Sequence, residues 1–278
     1  MSRVVNYFFT AIERFLSFRY INIFKTIYVN FRLLPFQVAL KLPIYVIGQL
    51  KIIALNGKVI IDSENIKSGM IRLGCPISLY RNSYSQLHLS GRMIFKGKAH
   101  FLNGYSISVQ RNGDLTIGNN VYVADNVTIS VVNSIEIGNY TRFAGDAILM
   151  DSDIHFTIDI KSREIMQNTK QIKLGDYNWI TKGNRIYKGT ITPNFTIISS
   201  GSLTNRDYTK VVPEFSMIGG IPAKLIKEGL RRVYNEENEK MLNAYFAEND
   251  RFTLPGNEDV DKFCMYKKGN NRFWESSV

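Results

Sequence analysis

Hydrophobic residues change their spacing along the chain, and each spacing predicts a different element. Near the N-terminus Phe8, Ile12, Phe15 or Leu16, Tyr20, Ile23 and Ile27 recur every three or four residues, while Arg14, Asn22 and Lys25 fall elsewhere on the wheel. That pattern predicts an amphipathic helix with its apolar stripe on those positions. From about Gly57 to Ile221 helical spacing disappears, and β-branched residues stand in short pieces separated by Gly, Asn and Asp, the chemistry of strands and turns. After Ala223 apolar Leu225, Ile226, Leu230, Val233, Met241, Leu242, Tyr245 and Phe246 alternate with charged residues, which predicts a helix reaching about Asn249. The expected organisation is a basic helical extension over 1–50, a β domain over 51–222, and a C-terminal helix and tail over 223–278.

The β region repeats. Ile117-Gly118-Asn119-Asn120, Ile137-Gly138-Asn139-Tyr140 and Leu174-Gly175-Asp176-Tyr177 are three copies of one aliphatic-glycine-turn unit. Six-residue steps run from each: Ile117, Val123 and Ile129; Ile137, Phe143 and Leu149; Leu174, Ile180 and Ile186, resuming at Ile198 with Thr192 as the polar member. Extra residues near Asn133 and Ser134 shift the first phase change, and a longer insertion precedes the third series. A six-residue unit cannot bury one apolar side chain alone, whereas stacked coils place the aliphatics in a continuous internal column. The pattern predicts a solenoid, with the Gly or Asn after each aliphatic supplying a positive-φ corner. A sandwich would turn every 8 to 12 residues. Helices at the two ends are expected to cover the open coils.

With 278 residues, 45% of them hydrophobic, the chain has enough material for a core and is neither disordered nor low-complexity. Cys75 and Cys264 are far apart and outside any CxxC motif, so neither a disulfide scaffold nor a zinc ribbon is available. The net charge of +11 points to an anionic partner. Residues 1–51 hold seven basic residues against Glu13 alone, over half of that excess. Glu13, Arg14 and Arg19 interrupt any signal-peptide core, and Lys41, Pro35 and Pro43 break the most apolar window, Leu33 to Leu50. Residues 1–50 offer either a peripheral membrane-surface contact or packing on the protein's own core. Nucleic acid is not an expected partner, since no basic recognition helix or stacking platform accompanies the lysines.

The last coils carry a more specific signal. Leu174-Gly-Asp-Tyr-Asn-Trp179-Ile180, Ile186-Tyr-Lys-Gly189-Thr190, Ile197-Ile-Ser-Ser-Gly201-Ser-Leu203-Thr-Asn-Arg-Asp207 and Ile218-Gly219-Gly220-Ile221-Pro222-Ala223-Lys224 follow one another in order. Over roughly residues 51–230 this run resembles the hexapeptide-repeat acyltransferases, and within them the sugar O-acetyltransferases of bacterial surface-polysaccharide clusters. The resemblance implies a left-handed parallel β-helix, a homotrimer, acetyl-CoA as acyl donor and a sugar or glycan acceptor. It departs from the family at Trp179-Ile180-Thr181, where many relatives have glycine third.

Asp151-Ser152-Asp153-Ile154-His155 is the candidate chemistry. A sugar hydroxyl attacks a thioester only if a base takes its proton, and a neutral imidazole suits that task. The resemblance makes His155 that base, at the mouth of an excursion from Phe156 to Lys173 that leaves the six-residue register. Asp153 would orient the ring or accept from an acceptor hydroxyl, and Asp151 and Arg163 would serve the acceptor; on a flat strand Asp151, Asp153 and His155 would share one side. For coenzyme A the resemblance implies Trp179 against the pantetheine arm, amides around Ser200 and Gly201 on its amide groups, Pro222 and Ala223 facing the adenine, and Lys182, Arg206 and Lys224 near the phosphates. His88 and His100 fall in no motif and read as surface or turn residues. Three histidines this widely spaced do not make a zinc site, so no metal is expected. Neither cysteine has a histidine nearby in sequence, which favours direct transfer over an acyl-enzyme. The competing reading is an idle β-helix scaffold at a membrane surface.

Overall fold

The computed structural model describes residues 20–76 and 84–265. The chain divides into two compact units, one up to Glu228 and one from Gly229. The first begins with helix α1 (Ile23–Leu33) and a short helix α2 (Phe36–Ala39), then winds as a parallel β-helix with three sheets. The first sheet stacks β1 (Ile44–Val46), β4 (Ile71–Leu73), β7 (Ala99–Phe101), β10 (Val121–Val123), β13 (Arg142–Phe143), β16 (Trp179–Ile180), β18 (Ile197–Ile198) and β20 (Met217–Gly220). The second stacks β2 (Leu50–Leu55), β5 (Ser85–Leu89), β8 (Ser106–Val109), β11 (Thr128–Val131), β14 (Ile148–Met150), β17 (Arg185–Tyr187) and β19 (Leu203–Thr204). The third holds β3 (Lys58–Ile61), β6 (Arg92–Phe95), β9 (Asp114–Ile117), β12 (Ser134–Ile137) and β15 (Ile172–Leu174). The parallel β-helix expected from the sequence is the architecture observed.

All the aliphatic positions of the six-residue series lie in the interior, Thr192 among them. Thr192 is tolerated there because its hydroxyl donates to Asn178 Oδ1 at 2.7 Å. Stacking keeps register: Ile117 pairs with Ile137, and Ile137 with Leu174.

The turn glycines act differently from the sequence expectation. Gly118, Gly138 and Gly175 do not adopt positive φ; a Cβ on Gly138 would stand 2.4 Å from the carbonyl carbon of Gly175 in the next coil. Their role is close backbone approach. Positive φ falls two residues later, on Asn120, Tyr140 and Tyr177, and in later coils on Phe195 and Phe215. Bulky residues resist that region. Here the four rings stack up the edge between the third and first sheets, with centroids 4.6, 4.9 and 4.6 Å apart. Beside them runs a side-chain ladder in which the Asn119 amide donates to Asn139 Oδ1 (2.8 Å), that of Asn139 to Asp176 Oδ1 (2.7 Å) and that of Asp176 to Asn194 Oδ1 (2.9 Å).

Helix α1 also departs from expectation. The part of the predicted stripe before Tyr20 lies outside the described residues. Within α1, Ile23 and Ile27 are exposed, and the buried side is Thr26, Val29, Asn30 and Leu33. The reason is the open backbone of β1: Thr26 Oγ1 accepts from the Val46 amide, while Asn30 accepts from the Ile44 amide and donates to the Ile44 carbonyl. Satisfying a strand edge outweighs burying more apolar surface.

The predicted helix from Ala223 is a strand at its start. β21 (Ala223–Lys227) pairs antiparallel with β20 and covers the last edge of the first sheet. The second unit holds α3 (Glu236–Tyr245), with Asn235 as N-cap, and α4 (Val260–Cys264), with Asp259 as N-cap. Both cysteines are buried.

Candidate active site

Each coil turns three corners, and the candidate residues sort onto them. Asp151 ends β14 at the corner between the second and third sheets. Its carboxylate is fully buried and accepts from the backbone amides of Val132 and Asn133, both at 2.8 Å. The expectation that Asp151, Asp153 and His155 share one side is therefore not met. Asp151 points inward and is already saturated with backbone donors; Asp153 and His155 are exposed. The corner is tied by its own peptide groups, since Lys170 N donates to the Asp151 carbonyl at 3.0 Å.

Between those points the chain leaves the solenoid as an antiparallel arm. Ser152 bridges Thr169 and Ile158 bridges Ile165. At the tip Asp159 Oδ1 accepts from the amides of Lys161 and Ser162, and these donors hold its carboxyl below the usual range. Arg163 sits at this tip with φ of 60°, its amide donating to the Asp159 carbonyl at 2.8 Å. Arg163 is thus remote along the arm from His155, not beside it.

The backbone at His155 is strained. Ile154 has φ of 67°, a region a β-branched residue avoids. The His155 amide donates to the Asp153 carbonyl at 2.7 Å, closing the rarer, strained form of γ-turn. Ser152 Oγ accepts from the Ile154 amide at 2.9 Å, and Asn168 donates to the Ile154 carbonyl at 3.1 Å. The strained peptide is held from both sides, presenting the imidazole to solvent.

Lys188, which sequence reasoning passed over, completes the group. Its ammonium lies 2.5 Å from Asp153 and donates to the Gln167 carbonyl at 3.4 Å, bridging arm and coil. The signal was present: Lys188 follows Ile186 as Asp151 follows Leu149, and Met150 pairs with Tyr187 in the ladder.

The residues assigned to coenzyme A gather elsewhere. Lys182, Ser200 and Gly201 stack at the corner between the first and second sheets, and Trp179 stands half-buried on the first sheet beside Arg142 in register. Lys182 pairs with Asp146 at 3.4 Å and stays largely exposed. Ser200 donates to Thr181 Oγ1 at 3.1 Å. The Gly201 amide already donates to the Lys182 carbonyl at 3.0 Å, so it is committed within the fold. A Cβ on Gly201 would meet nothing within 4 Å, which leaves its surface open to an extended ligand. Pro222 and Lys224 are exposed in the closing turn and β21, whereas Ala223 is buried. Arg206 follows β19, on the corner that His155 occupies; it donates to the Ala223 carbonyl at 3.4 Å and its guanidinium lies 5.3 Å from the Tyr208 ring centre.

His88 and His100 are strand residues, correcting the expectation of turns or surface. His88 contacts Ser108 and Ser90 at 3.2 and 3.0 Å. His100 is buried 3.3 Å from the Gly74 carbonyl, and burial, reinforced by nearby Arg72, pushes its imidazole down to about 3. Among the described residues no group of three or more His, Cys, Asp or Glu side chains could hold a metal ion.

No family model matches the sequence. Over 144 residues, 49% of this chain and 69% of the relative, it is 25% identical to the "Putative lipopolysaccharide biosynthesis O-acetyl transferase WbbJ" of Escherichia coli strain K12. This chain resembles an O-acetyltransferase. Among solved structures it overlaps the polySia specific acetyltransferase NeuO at 21% identity, covering 76% of this chain and 91% of that one with a TM-score of 0.38. The polysialic acid O-acetyltransferase OatWY overlaps at 21% identity, with 73% and 94% coverage and a TM-score of 0.36. A hexapeptide-repeat containing acetyltransferase of Vibrio cholerae O1 biovar eltor, complexed with acetyl coenzyme A, overlaps at 20% identity, with 45% and 60% coverage and a TM-score of 0.33.

Proposed function

We propose that this chain is an acetyl-CoA-dependent O-acetyltransferase acting on a sugar hydroxyl of a bacterial surface polysaccharide or its precursor. The observation that carries the reading is His155, exposed on a strained turn where the solenoid opens into the arm, with Asp153 anchored by Lys188 two residues away. The similarity to a lipopolysaccharide O-acetyl transferase supports the same chemistry.

In this reading the imidazole takes the proton of the acceptor hydroxyl as its oxygen attacks the thioester carbonyl. The carbon–sulfur bond then breaks, and the coenzyme A thiolate leaves with the proton held on the ring. A positioned base contributes roughly 10²- to 10⁴-fold, and holding both substrates together contributes more. Asp153 carries the positioning role, and Arg163 at the arm tip meets the acceptor. Asp151, saturated by backbone amides, secures the arm's root instead of meeting the sugar. Coenzyme A lies along Trp179, Lys182, Ser200, Gly201, Pro222 and Lys224, with Arg206 reaching its phosphates from the other corner.

His155 and Lys182 stand on opposite corners of the second sheet. A complete site then joins the histidine corner of one protomer to the cofactor corner of the next, as a homotrimer provides. The exposed Phe156, Ile158, Ile160 and Met166 of the arm supply the apolar surface such a neighbour would cover. Among the described residues no helix is long and apolar enough to cross a membrane. We place the enzyme in the cytoplasm, peripheral on the inner face of the cell membrane.

The test pairs purified protein and acetyl-CoA with an acceptor glycan, followed by mass spectrometry of the glycan. Acetylation by the parent chain, lost in His155→Ala with an unchanged circular dichroism spectrum, is the expected result. Full transfer by His155→Ala would remove this histidine from the mechanism, and no thioester loss with any glycan would leave only the scaffold reading.

A further inference from the structure

Helix α1 carries two stripes. Its inner stripe, Thr26, Val29, Asn30 and Leu33, closes the solenoid: Val29 and Leu33 line one small apolar void with Ile44, Val59, Ile71 and Leu87 of the first coils. Two of those four inner positions are polar. The outer stripe, Phe24, Ile27, Tyr28 and Phe31, repeats the same helical spacing and is entirely apolar or aromatic. Phe24 is 88% exposed, and Phe36 and Leu40, just beyond the helix, are 67% and 60% exposed. A helix that turns its more apolar side away from its own protein presents a surface for something else.

Charge selects the occupant. From Tyr20 to Ile61 there is no acidic residue, while Lys25, Arg32, Lys41, Lys51 and Lys58 are basic. Arg32, Lys41, Lys51 and Lys58 are exposed, and none pairs with a carboxylate of a described residue. Two copies of such a surface would repel each other. An anionic lipid leaflet complements it in both respects, accepting aromatic and aliphatic side chains at the headgroup boundary and basic ones among the phosphates. Eleven helical residues reach about 16 Å, suited to lying in the interface and too short to span.

We propose that the outer face of α1, with Phe36 and Leu40, docks this protein on anionic lipid, the closed end of the solenoid toward the membrane. The inference deepens the peripheral location proposed above and does not depend on acetyl transfer. The test is co-sedimentation of the full chain with vesicles of phosphatidylcholine alone and of phosphatidylcholine mixed with phosphatidylglycerol, at low and high salt. The mixed vesicles should bind the chain, salt should weaken binding, and F24S/I27S/F31S should lower it at least ~10-fold with an unchanged far-ultraviolet spectrum. Arg32→Gln and Lys41→Gln should each cost roughly 5-fold on the mixed vesicles only. In a second measurement, Tyr28→Trp should add fluorescence that brominated lipid quenches. If the parent chain binds and the serine variant binds equally, the membrane location stands and this face is wrong. If the parent chain binds no vesicle, both fall. Unquenched Tyr28→Trp, or self-association without lipid that the serine variant abolishes, assigns the face to protein and overturns the proposal.

Discussion

Two corners of the same solenoid are built in opposite ways. At the corner between the third and first sheets, Tyr140, Tyr177, Phe195 and Phe215 stack on one another, and Asn119, Asn139, Asp176 and Asn194 pass hydrogen bonds from coil to coil. That edge is closed on itself. At the corner between the second and third sheets the stacking is interrupted after Met150: Asp151 turns inward, Ile154 is strained, and an arm with exposed apolar side chains projects beside His155. The lesson is that the closed corner spends its polar groups on its own neighbours, whereas the break in register leaves His155 exposed and able to meet a substrate.

If the contrast is correct, the largest effect belongs to the open corner. His155→Ala should lower acetyl transfer by roughly 10²- to 10⁴-fold while leaving the urea midpoint unchanged. At the closed corner the reverse is expected. Tyr177→Ala keeps an unfavourable φ and loses a stacked ring on each side, so unfolding in urea should show a loss of about 2–3 kcal/mol, with transfer by the folded protein unchanged. Equal effects of both substitutions on both measurements would break the distinction.

Asp151→Ala lies between the two. Removing the carboxylate strips partners from the Val132 and Asn133 amides, so about 1–2 kcal/mol of stability should go, and transfer should fall roughly 10-fold as the arm's root loosens. Loss of stability without any change in transfer would show that the arm positions nothing.

Acidification sharpens the picture from a third place. The folded His100 imidazole titrates at about 3, below its ordinary 6.5, because burial penalises its charge and Arg72 repels the added proton. Between those values the unfolded chain binds the proton and the folded chain does not. Stability should therefore fall as pH drops from 6.5 toward 3, by up to about 1.4 kcal/mol per pH unit, and His100→Asn should flatten that part of the profile in thermal melts. An unchanged slope would place the acid sensitivity elsewhere.

What could be read in advance follows from periodicity. The inward column of Ile117, Ile137, Leu174 and their six-residue successors was legible because burial in a stacked coil depends on position within one unit. The ordered closing motifs located Trp179, Gly201 and Pro222 in the terminal coils for the same reason. His155 was legible as a candidate through the family resemblance, which implies a base at the point where the repeat stops. Lys188 shares its place in the repeat with Asp151, but its pairing with Asp153 shows only once the coils stack.

The sequence by itself determined the repeat, the inward side chains and the point of interruption, since each depends on neighbours a few residues away. Tertiary structure decided the rest. Aromatic residues accept positive φ at Tyr140, Tyr177, Phe195 and Phe215 because rings from adjacent coils stack there. Thr26 and Asn30 take the inner side of α1 because the edge of β1 needs hydrogen-bond partners, and Ala223–Lys227 becomes a strand because β20 offers it an unpaired edge. In none of these cases is the deciding partner, a ring of an adjacent coil or an open strand edge, written into the six-residue or helical period.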